Sequence, residues 1–362
     1  MYHCESCGRE YDADGPWRCA CGHALDYAER SLPEASEPPD PSAFDRDRGL
    51  WSFDEFLPVE RRVSLGEGWT PLVDAPAVGA QIKLDSVFPT GSFKDRGATV
   101  TLSQAAALGV ERVVEDSSGN AGLAVATYAA RAGIDAEIYV PADAKASKLR
   151  KIERAGADVV RVEGRRGDVT AACHEALDGG AWYASHAWQP AFFAGTATWA
   201  LEVAAQREWS VPDAVVVPLG HGTLLLGAYR GFSALQAAGW TDDVPRLLGA
   251  QAAGHAPIAA GEATLDGATD DGTNESNDLA DGIQIDAPAR GRQLLDAIDA
   301  TGGAALAVDA EATERAHDRL GRAGLQVEPT CATAVAALER YREQETVGPD
   351  EDVVVVLSGQ NG

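Results

Sequence analysis

Residues 89–97 read Pro89-Thr90-Gly91-Ser92-Phe93-Lys94-Asp95-Arg96-Gly97 and carry one of only five lysines in a chain of 362 residues. The stretch lies between a short strand-like run, Gln81 to Leu84, and a helix-like run, Ala98 to Leu108. Pro89 and Gly91 predict a turn, and Gly97 permits a close backbone approach. A lysine on such a turn is either a solvated surface residue or an amine that faces a cleft. In the second case partial desolvation eases loss of its proton and lets it form a Schiff base with an aldehyde. The surrounding pattern decides between the two.

Outward from this turn, strands alternate with helices. Strands are predicted at 112–115, 135–140, 158–162, 181–184, 214–218, 246–251, 304–308 and 353–357. Helices are predicted up to Arg131 and at 145–155, 168–178, 192–207, 223–238, 291–300, 310–323 and 331–343. Such alternation implies an α/β fold of parallel βαβ units covered on both faces. Residues 254–290 are rich in Gly and Asp and are expected to form a long surface excursion. No repeat of solenoid type is visible.

The composition narrows the function. The net charge is −26, from 30 basic and 56 acidic residues, with 45% apolar and 24% charged residues. An acidic, lysine-poor surface excludes nucleic acid and anionic membrane as partners and suits a protein adapted to high salt, where carboxylates stay hydrated and their repulsion is screened. No apolar run is long enough for a membrane span. The start Met1-Tyr2-His3-Cys4 lacks a basic segment and an apolar core, so a cytoplasmic location is expected.

Residues 1–30 hold Cys4-x-x-Cys7 and Cys19-x-Cys21, each pair followed by Gly. Two such knuckles can converge on one tetrahedral ion, and four thiolates make a closed structural zinc site with no open catalytic position. A pair of disulfides is the alternative, against which the expected compartment argues. His3 and His23 are possible substitute ligands. Residues 31–50 are rich in Pro, Glu and Asp and read as a linker. Cys173 and Cys331 are expected to be buried small apolar residues.

Three further loops follow predicted strands, where ligands of open α/β sheets bind. Ser117-Ser118-Gly119-Asn120 opens a helix, so its N–H groups favour a carboxylate, and the Asn120 amide can donate to a phenolic oxygen. Gly220-His221-Gly222-Thr223-Leu224 follows another strand and makes a phosphate nest that is neither a Walker loop nor a dinucleotide fingerprint. Leu357-Ser358-Gly359-Gln360-Asn361-Gly362 follows the last strand and offers the Ser358 hydroxyl. Each also has a purely structural reading: an N-cap, a Gly-rich turn, a chain terminus. Together they offer an amine, a phosphate nest, an amide and a hydroxyl, the set that pyridoxal phosphate needs.

At this point a resemblance applies. Residues from about 60 to 360 resemble the fold-type-II pyridoxal-phosphate enzymes, most closely the threonine synthase family. The run Pro89 to Gly97 matches that family's cofactor-lysine motif, and Ser117-Ser118-Gly119-Asn120-Ala121-Gly122 its asparagine loop. Val327-Glu328-Pro329-Thr330 and Leu279-Ala280-Asp281-Gly282 also look like family segments. The resemblance implies two open parallel-sheet subdomains in residues 51–362, the smaller spanning about 98–190 and inserted in the larger, after a zinc ribbon. It implies that Lys94 holds pyridoxal 5'-phosphate and then removes the α-proton of a small amino-acid substrate. Asn120 is then the O3' partner, and Ser117, Ser118, Gly119 and Asn120 receive the substrate carboxylate. Gly220, His221, Gly222, Thr223 and Leu224 take the cofactor phosphate, and Ser358 the ring nitrogen. Relatives are often homodimers.

The implied activity is threonine synthase or a close lyase. A threonine or serine dehydratase and a non-catalytic fold relative are the alternatives. The pattern departs from the family at Trp188-Gln189-Pro190-Ala191-Phe192, where Phe192 stands in place of a phosphate-binding Arg. Lys83 and Arg96 are candidates to replace that lost contact. The family's terminal Gly-Leu-Lys-Asp run is also missing. Lys145, Lys148 and Lys151 read as a solvated helix face.

Overall fold

The computed structural model describes residues 1–262 and 276–360. In chain order the elements are β1 (Tyr2–His3), β2 (Glu10–Tyr11), β3 (Asp26–Tyr27), β4 (Leu72–Ala75), β5 (Ala80–Lys83), α1 (Lys94–Ala107), β6 (Arg112–Glu115), α2 (Asn120–Ala132), β7 (Asp135–Pro141), α3 (Ala146–Arg154), β8 (Asp158–Val162), α4 (Arg166–Asp178), β9 (Trp182–Tyr183), α5 (Pro190–Gln206), β10 (Ala214–Pro218), α6 (Thr223–Ala237), β11 (Arg246–Ala252), α7 (Gly291–Ala300), β12 (Ala304–Val308), α8 (Ala310–Arg322), α9 (Pro329–Glu343) and β13 (Val353–Val356). Short 3₁₀ turns lie at 41–43, 46–56, 85–87 and 281–283. The chain forms two compact units. The first comprises Met1–Ser31, Asp47–Glu67 and Lys94–Thr196; the second comprises Leu32–Arg46, Gly68–Phe93 and the chain from Ala197 onward.

In the second unit a six-stranded sheet runs in the order β12-β11-β10-β13-β5-β4. All neighbours are parallel except β4, which pairs antiparallel with β5. The central strands β10 and β13, Ala-Val-Val-Val-Pro and Val-Val-Val-Val, are buried throughout. Such continuous apolar runs are what a sheet covered on both faces requires. Register sets Val216 beside Val355 and Val356 beside Lys83, so the carboxyl ends of β10, β13 and β5 share one edge. One core lies against α8 and α9 and includes Val335, Leu338 and Leu320. Each of these helices has a start signal: Asp309 accepts from the Ala312 N–H at 2.8 Å, and Pro329 occupies the first turn of α9.

The first unit holds a four-stranded parallel sheet, β8-β7-β6-β9, and the small antiparallel ribbon sheet β2-β1-β3. Its core joins Ala98 and Leu102 of α1, Val125 and Tyr128 of α2 and Ile138 of β7. Glu67 is buried there as a shared acceptor, taking the Trp51 indole N–H at 3.1 Å and the Tyr128 hydroxyl at 3.0 Å.

The predicted alternation stands, with one difference that matters. The helix expected at Ala98 starts four residues earlier, so Lys94 is its first residue and not a turn residue. The stretch read as a linker contains short 3₁₀ turns and is tied down: the Trp240 and Trp209 indoles donate to the Ala35 and Pro39 carbonyls at 2.9 and 2.8 Å. Of the excursion expected at 254–290, residues 263–275 lie outside the described residues. Among the described residues no helix is long and apolar enough to cross a membrane.

Candidate active site

Three of the segments singled out in the sequence meet at the shared edge of the large sheet. The turn before Lys94 pairs with the loop after β13. The Phe93 N–H donates to the Ser358 carbonyl at 2.9 Å, the Gln360 N–H donates to the Gly91 carbonyl at 2.9 Å, and Ser92 bridges Gly359. Lys94 is the next residue of the chain. Ser358 is buried, and its hydroxyl lies 3.5 Å from Cys331 Sγ, which also accepts from the Gly359 N–H at 3.2 Å. Cys331 is therefore more than the apolar filler expected of it. Burial, and then the Glu328 charge, push its thiol up to about 12, so it stays protonated and available to the loop. Asn361 and Gly362 lie outside the described residues.

The Gly220 turn leaves β10 beside this loop. Gly222 is the N-cap of α6 with φ +78 and no side-chain cap. A Cβ at Gly222 would stand 2.2 Å from Leu294 Cδ2, so both the conformation and the space demand glycine. Thr223 Oγ1 is buried without a hydrogen-bond partner among the described residues. An uncapped helix start with an orphaned hydroxyl, cradled by residues that leave no room for a side chain, fits an anionic phosphate group.

In the first unit, β6 runs into Asp116, and Ser117-Ser118-Gly119 leads into α2 at Asn120. All four residues from Ser117 to Asn120 are half-buried. The N-cap is Gly119, and it makes no side-chain cap; the first turn of a helix is where an anion finds backbone N–H donors. The Gly119 N–H donates to Ser117 Oγ at 3.3 Å, a local bond within the loop.

Lys94, half-buried, opens α1. Its Nζ lies 6.0 Å from the centroid of the Phe192 ring. That ring fills the place next to Gly97, where a Cβ would come within 2.1 Å of Phe192 Cδ1. The close approach predicted at Gly97 is thus made by the aromatic ring that replaces the expected arginine. Phe192 is fully buried, and Gln189 is committed through its amide to the Tyr183 carbonyl at 2.6 Å. Lys83 does not replace the missing cation. It is fully buried in the second unit, where Nζ donates to Glu202 Oε2, the Thr70 carbonyl and Gln206 Oε1, each at 2.8 Å.

Sequence reasoning missed Glu115 and His186. Glu115 closes β6, fully buried, and its Oε1 lies 2.6 Å from His186 Nδ1, while Oε2 has no partner among the described residues. Burial, and then the adjacent Asp116 charge, raise the Glu115 carboxyl well above 4.5, against the opposing pull of Lys94 and Arg166. Glu115 in the fold therefore binds a proton that the unfolded chain has released, so stability falls as pH rises from about 4.5 toward the folded value. Each pH unit of that window costs about 1.4 kcal/mol. Glu115→Gln is expected to flatten this slope, as read from urea midpoints at acid and at neutral pH. Equal slopes in the two proteins would refute it. The available signal was a single carboxylate at the end of an apolar strand, next to the Ser117 loop.

The four N-terminal cysteines come together. Their sulfur atoms all lie within 4.8 Å of one another, and all four are free of disulfides. Their donor set suits a tetrahedral thiolate site. The mutually close set is the four cysteines, and His23 Nδ1 lies 3.5 Å from Cys21 Sγ at its edge.

The comparisons with known proteins agree. A family model described as pyridoxal-phosphate dependent enzyme matches residues 63–359. The chain is 33% identical to the threonine synthase of Methanocaldococcus jannaschii, over 99% of this chain and 92% of that protein. It is 33% identical to the threonine synthase of Methanosarcina acetivorans, over 99% and 91%. Among solved structures, maize serine racemase has a TM-score of 0.68 at 24% identity, over 81% of this chain and 88% of that one. The processed form of threonine deaminase isoform 2 from Solanum lycopersicum has a TM-score of 0.68 at 20% identity, over 92% and 88%. Motif, sheet topology and end-to-end similarity converge, and the chain belongs to the pyridoxal-phosphate-dependent enzymes, as a lyase of the threonine synthase family.

Proposed function

We propose that the chain is a threonine synthase, converting O-phosphohomoserine and water to threonine and inorganic phosphate. The observation that carries this reading is the similarity to threonine synthases over 99% of the chain, the lysine turn included. The catalytic part is residues 51–362, and the zinc-bearing ribbon is residues 1–30 with Cys4, Cys7, Cys19 and Cys21 as ligands. The acidic, lysine-poor composition fits work at high salt.

Lys94 Nζ would hold the cofactor aldehyde, and the same amine would accept the proton from the substrate's Cα. Gly220 to Leu224 would hold the cofactor phosphate at the start of α6, and the Asn120 amide would donate to O3'. Ser117 to Asn120 bind the substrate carboxylate through the uncapped turn of α2. Ser358 would partner the ring nitrogen. Pyridoxal phosphate bound there supplies an electron sink for charge developing at Cα. A serine hydroxyl, unlike an aspartate, does not force a proton onto that nitrogen, which favours elimination and replacement at Cβ or Cγ over transamination.

A second reading is an ammonia-lyase for threonine or serine, and Phe192 favours it. A buried ring makes no charge-assisted bond to a substrate phosphate. One assay separates the two. Purified protein with pyridoxal phosphate is expected to release inorganic phosphate and threonine in equal amounts from O-phosphohomoserine. Release of 2-oxobutyrate from threonine, with no phosphate from O-phosphohomoserine, would assign the lyase instead.

A further inference from the structure

Trp17 stands two residues before Cys19, yet its ring serves a different part of the first unit. It lies 4.6 Å from the His174 ring of α4, 5.1 Å edge-on to Tyr183 of β9 and 4.9 Å edge-on to Trp188. The Arg18 guanidinium covers it at 4.6 Å. Tyr183 in turn donates its hydroxyl to Asp116 Oδ1 at 2.7 Å, and Thr170 of α4 donates to Asp116 Oδ2 at 2.6 Å. Both oxygens of Asp116 are thereby fixed, and Asp116 directly precedes Ser117. The ribbon has a second hold. Tyr27 donates to Gln104 Oε1 at 3.1 Å, and Gln104 Nε2 donates to the Tyr2 hydroxyl, Gln104 being on α1, the helix that Lys94 opens. A chain of contacts thus joins the cysteine cluster to the two elements that carry Lys94 and the Ser117 loop.

The ribbon has little else to keep it in shape. Its three strands are two residues each, too short to hold a sheet alone. Its core is Tyr2, Cys4, Cys19 and Leu25, two of which are the clustered cysteines themselves. A ribbon of this size keeps its fold through its metal, so metal binding is folding energy there. Loss of the metal is therefore expected to loosen residues 8–18 and with them Trp17.

We propose that Trp17 is a positioning residue that makes the order of the Ser117–Asn120 loop depend on metal occupancy of the Cys4, Cys7, Cys19, Cys21 cluster. The proposal rests on the zinc and substrate-loop assignments made above. Its test reads the loop without substrate, so it stands or falls separately from the substrate assignment, which protection of the same loop by added threonine would test.

The experiment is amide hydrogen exchange on the full-length protein with zinc bound, after zinc is stripped with EDTA under reducing conditions, and after Zn2+ is added back. Stripping is expected to speed exchange at 116–122 about tenfold, the factor that one or two aromatic pairs supply. Exchange in β11 and α9 of the other unit is expected to stay the same, and re-addition to reverse the change. Trp17→Leu is expected to speed exchange at 116–122 by a similar factor while zinc content stays at one per chain, with Trp17→Phe restoring most of the protection. In Trp17→Leu, stripping then adds little at the loop, because the two changes break one connection. Should Trp17→Leu fail to fold, Tyr183→Phe removes only the hydroxyl on Asp116 and is expected to loosen the same residues with zinc retained. An unchanged loop in zinc-loaded Trp17→Leu or Tyr183→Phe overturns the proposal. So does an equal effect of stripping in Trp17→Leu and wild type, or a chain that takes up no zinc.

Discussion

Replacing Lys94 by alanine is expected to remove the visible absorption band of the cofactor-loaded enzyme and to lower turnover by at least 10²- to 10⁴-fold, roughly what a positioned acid–base group contributes. No other amine of the chain is suited to take over. Lys83 is fully buried and committed to Glu202, Thr70 and Gln206. Lys145, Lys148 and Lys151 belong to α3 and its N-cap. The substitution leaves α1 intact, since alanine is the best helix former and Lys94 is its first residue. Thermal unfolding should therefore change little while absorbance and turnover vanish together. A variant that keeps the band would place the cofactor amine elsewhere and remove the basis for every role assigned above.

The largest stability effect is expected at Glu202→Ala. The Lys83–Glu202 pair has no exposed side-chain surface on either partner. Glu202 Oε2 also accepts the Thr70 N–H at 3.2 Å, and Gln206 donates to the Thr70 carbonyl at 2.8 Å, so one network ties β5, the approach to β4 and α5. Removing the carboxylate leaves an ammonium buried without its counter-charge, which costs about 3–5 kcal/mol. Replacing both partners by apolar residues, Lys83→Met with Glu202→Leu, is expected to recover most of that loss, because a buried ion pair is worth little against well-packed carbon. Urea unfolding of the two variants checks this. A loss below about 1 kcal/mol in Glu202→Ala would mean that water or another carboxylate reaches Lys83.

The strands and helices around the lysine turn were legible because their signals are local. Val-rich runs, Gly at turns and Asp or Pro at helix starts each act within a few residues. Strand 158–162, strand 214–218, helix 291–300 and strand 304–308 fall where the pattern puts them. The misplaced start of α1 has a physical reason. Gly97 argues against helix by propensity, but here it gives Phe192 room, and that packing outweighs the cost of a helical glycine. What the sequence could not reveal were partnerships between distant residues. Glu115 and His186, Lys83 and Glu202, and Trp17 and Tyr183 are pairs without spacing rules, and each needs the fold before it can be seen. The lysine at 83 misled because a lone cation in an acidic chain suggests a ligand, whereas it answers a buried carboxylate.

The strand order of the large sheet bears on biosynthesis. β13 is made after every other strand, yet it sits in the middle, between β10 and β5. As the polypeptide leaves the ribosome, those two strands emerge with bare hydrogen-bonding edges and wait for a neighbour that has yet to be translated. Long-range parallel pairing is slow, and open edges invite association with other nascent chains. A message truncated before codon 353 would yield a product with a gap through the centre of its sheet, fit for degradation and not for partial work.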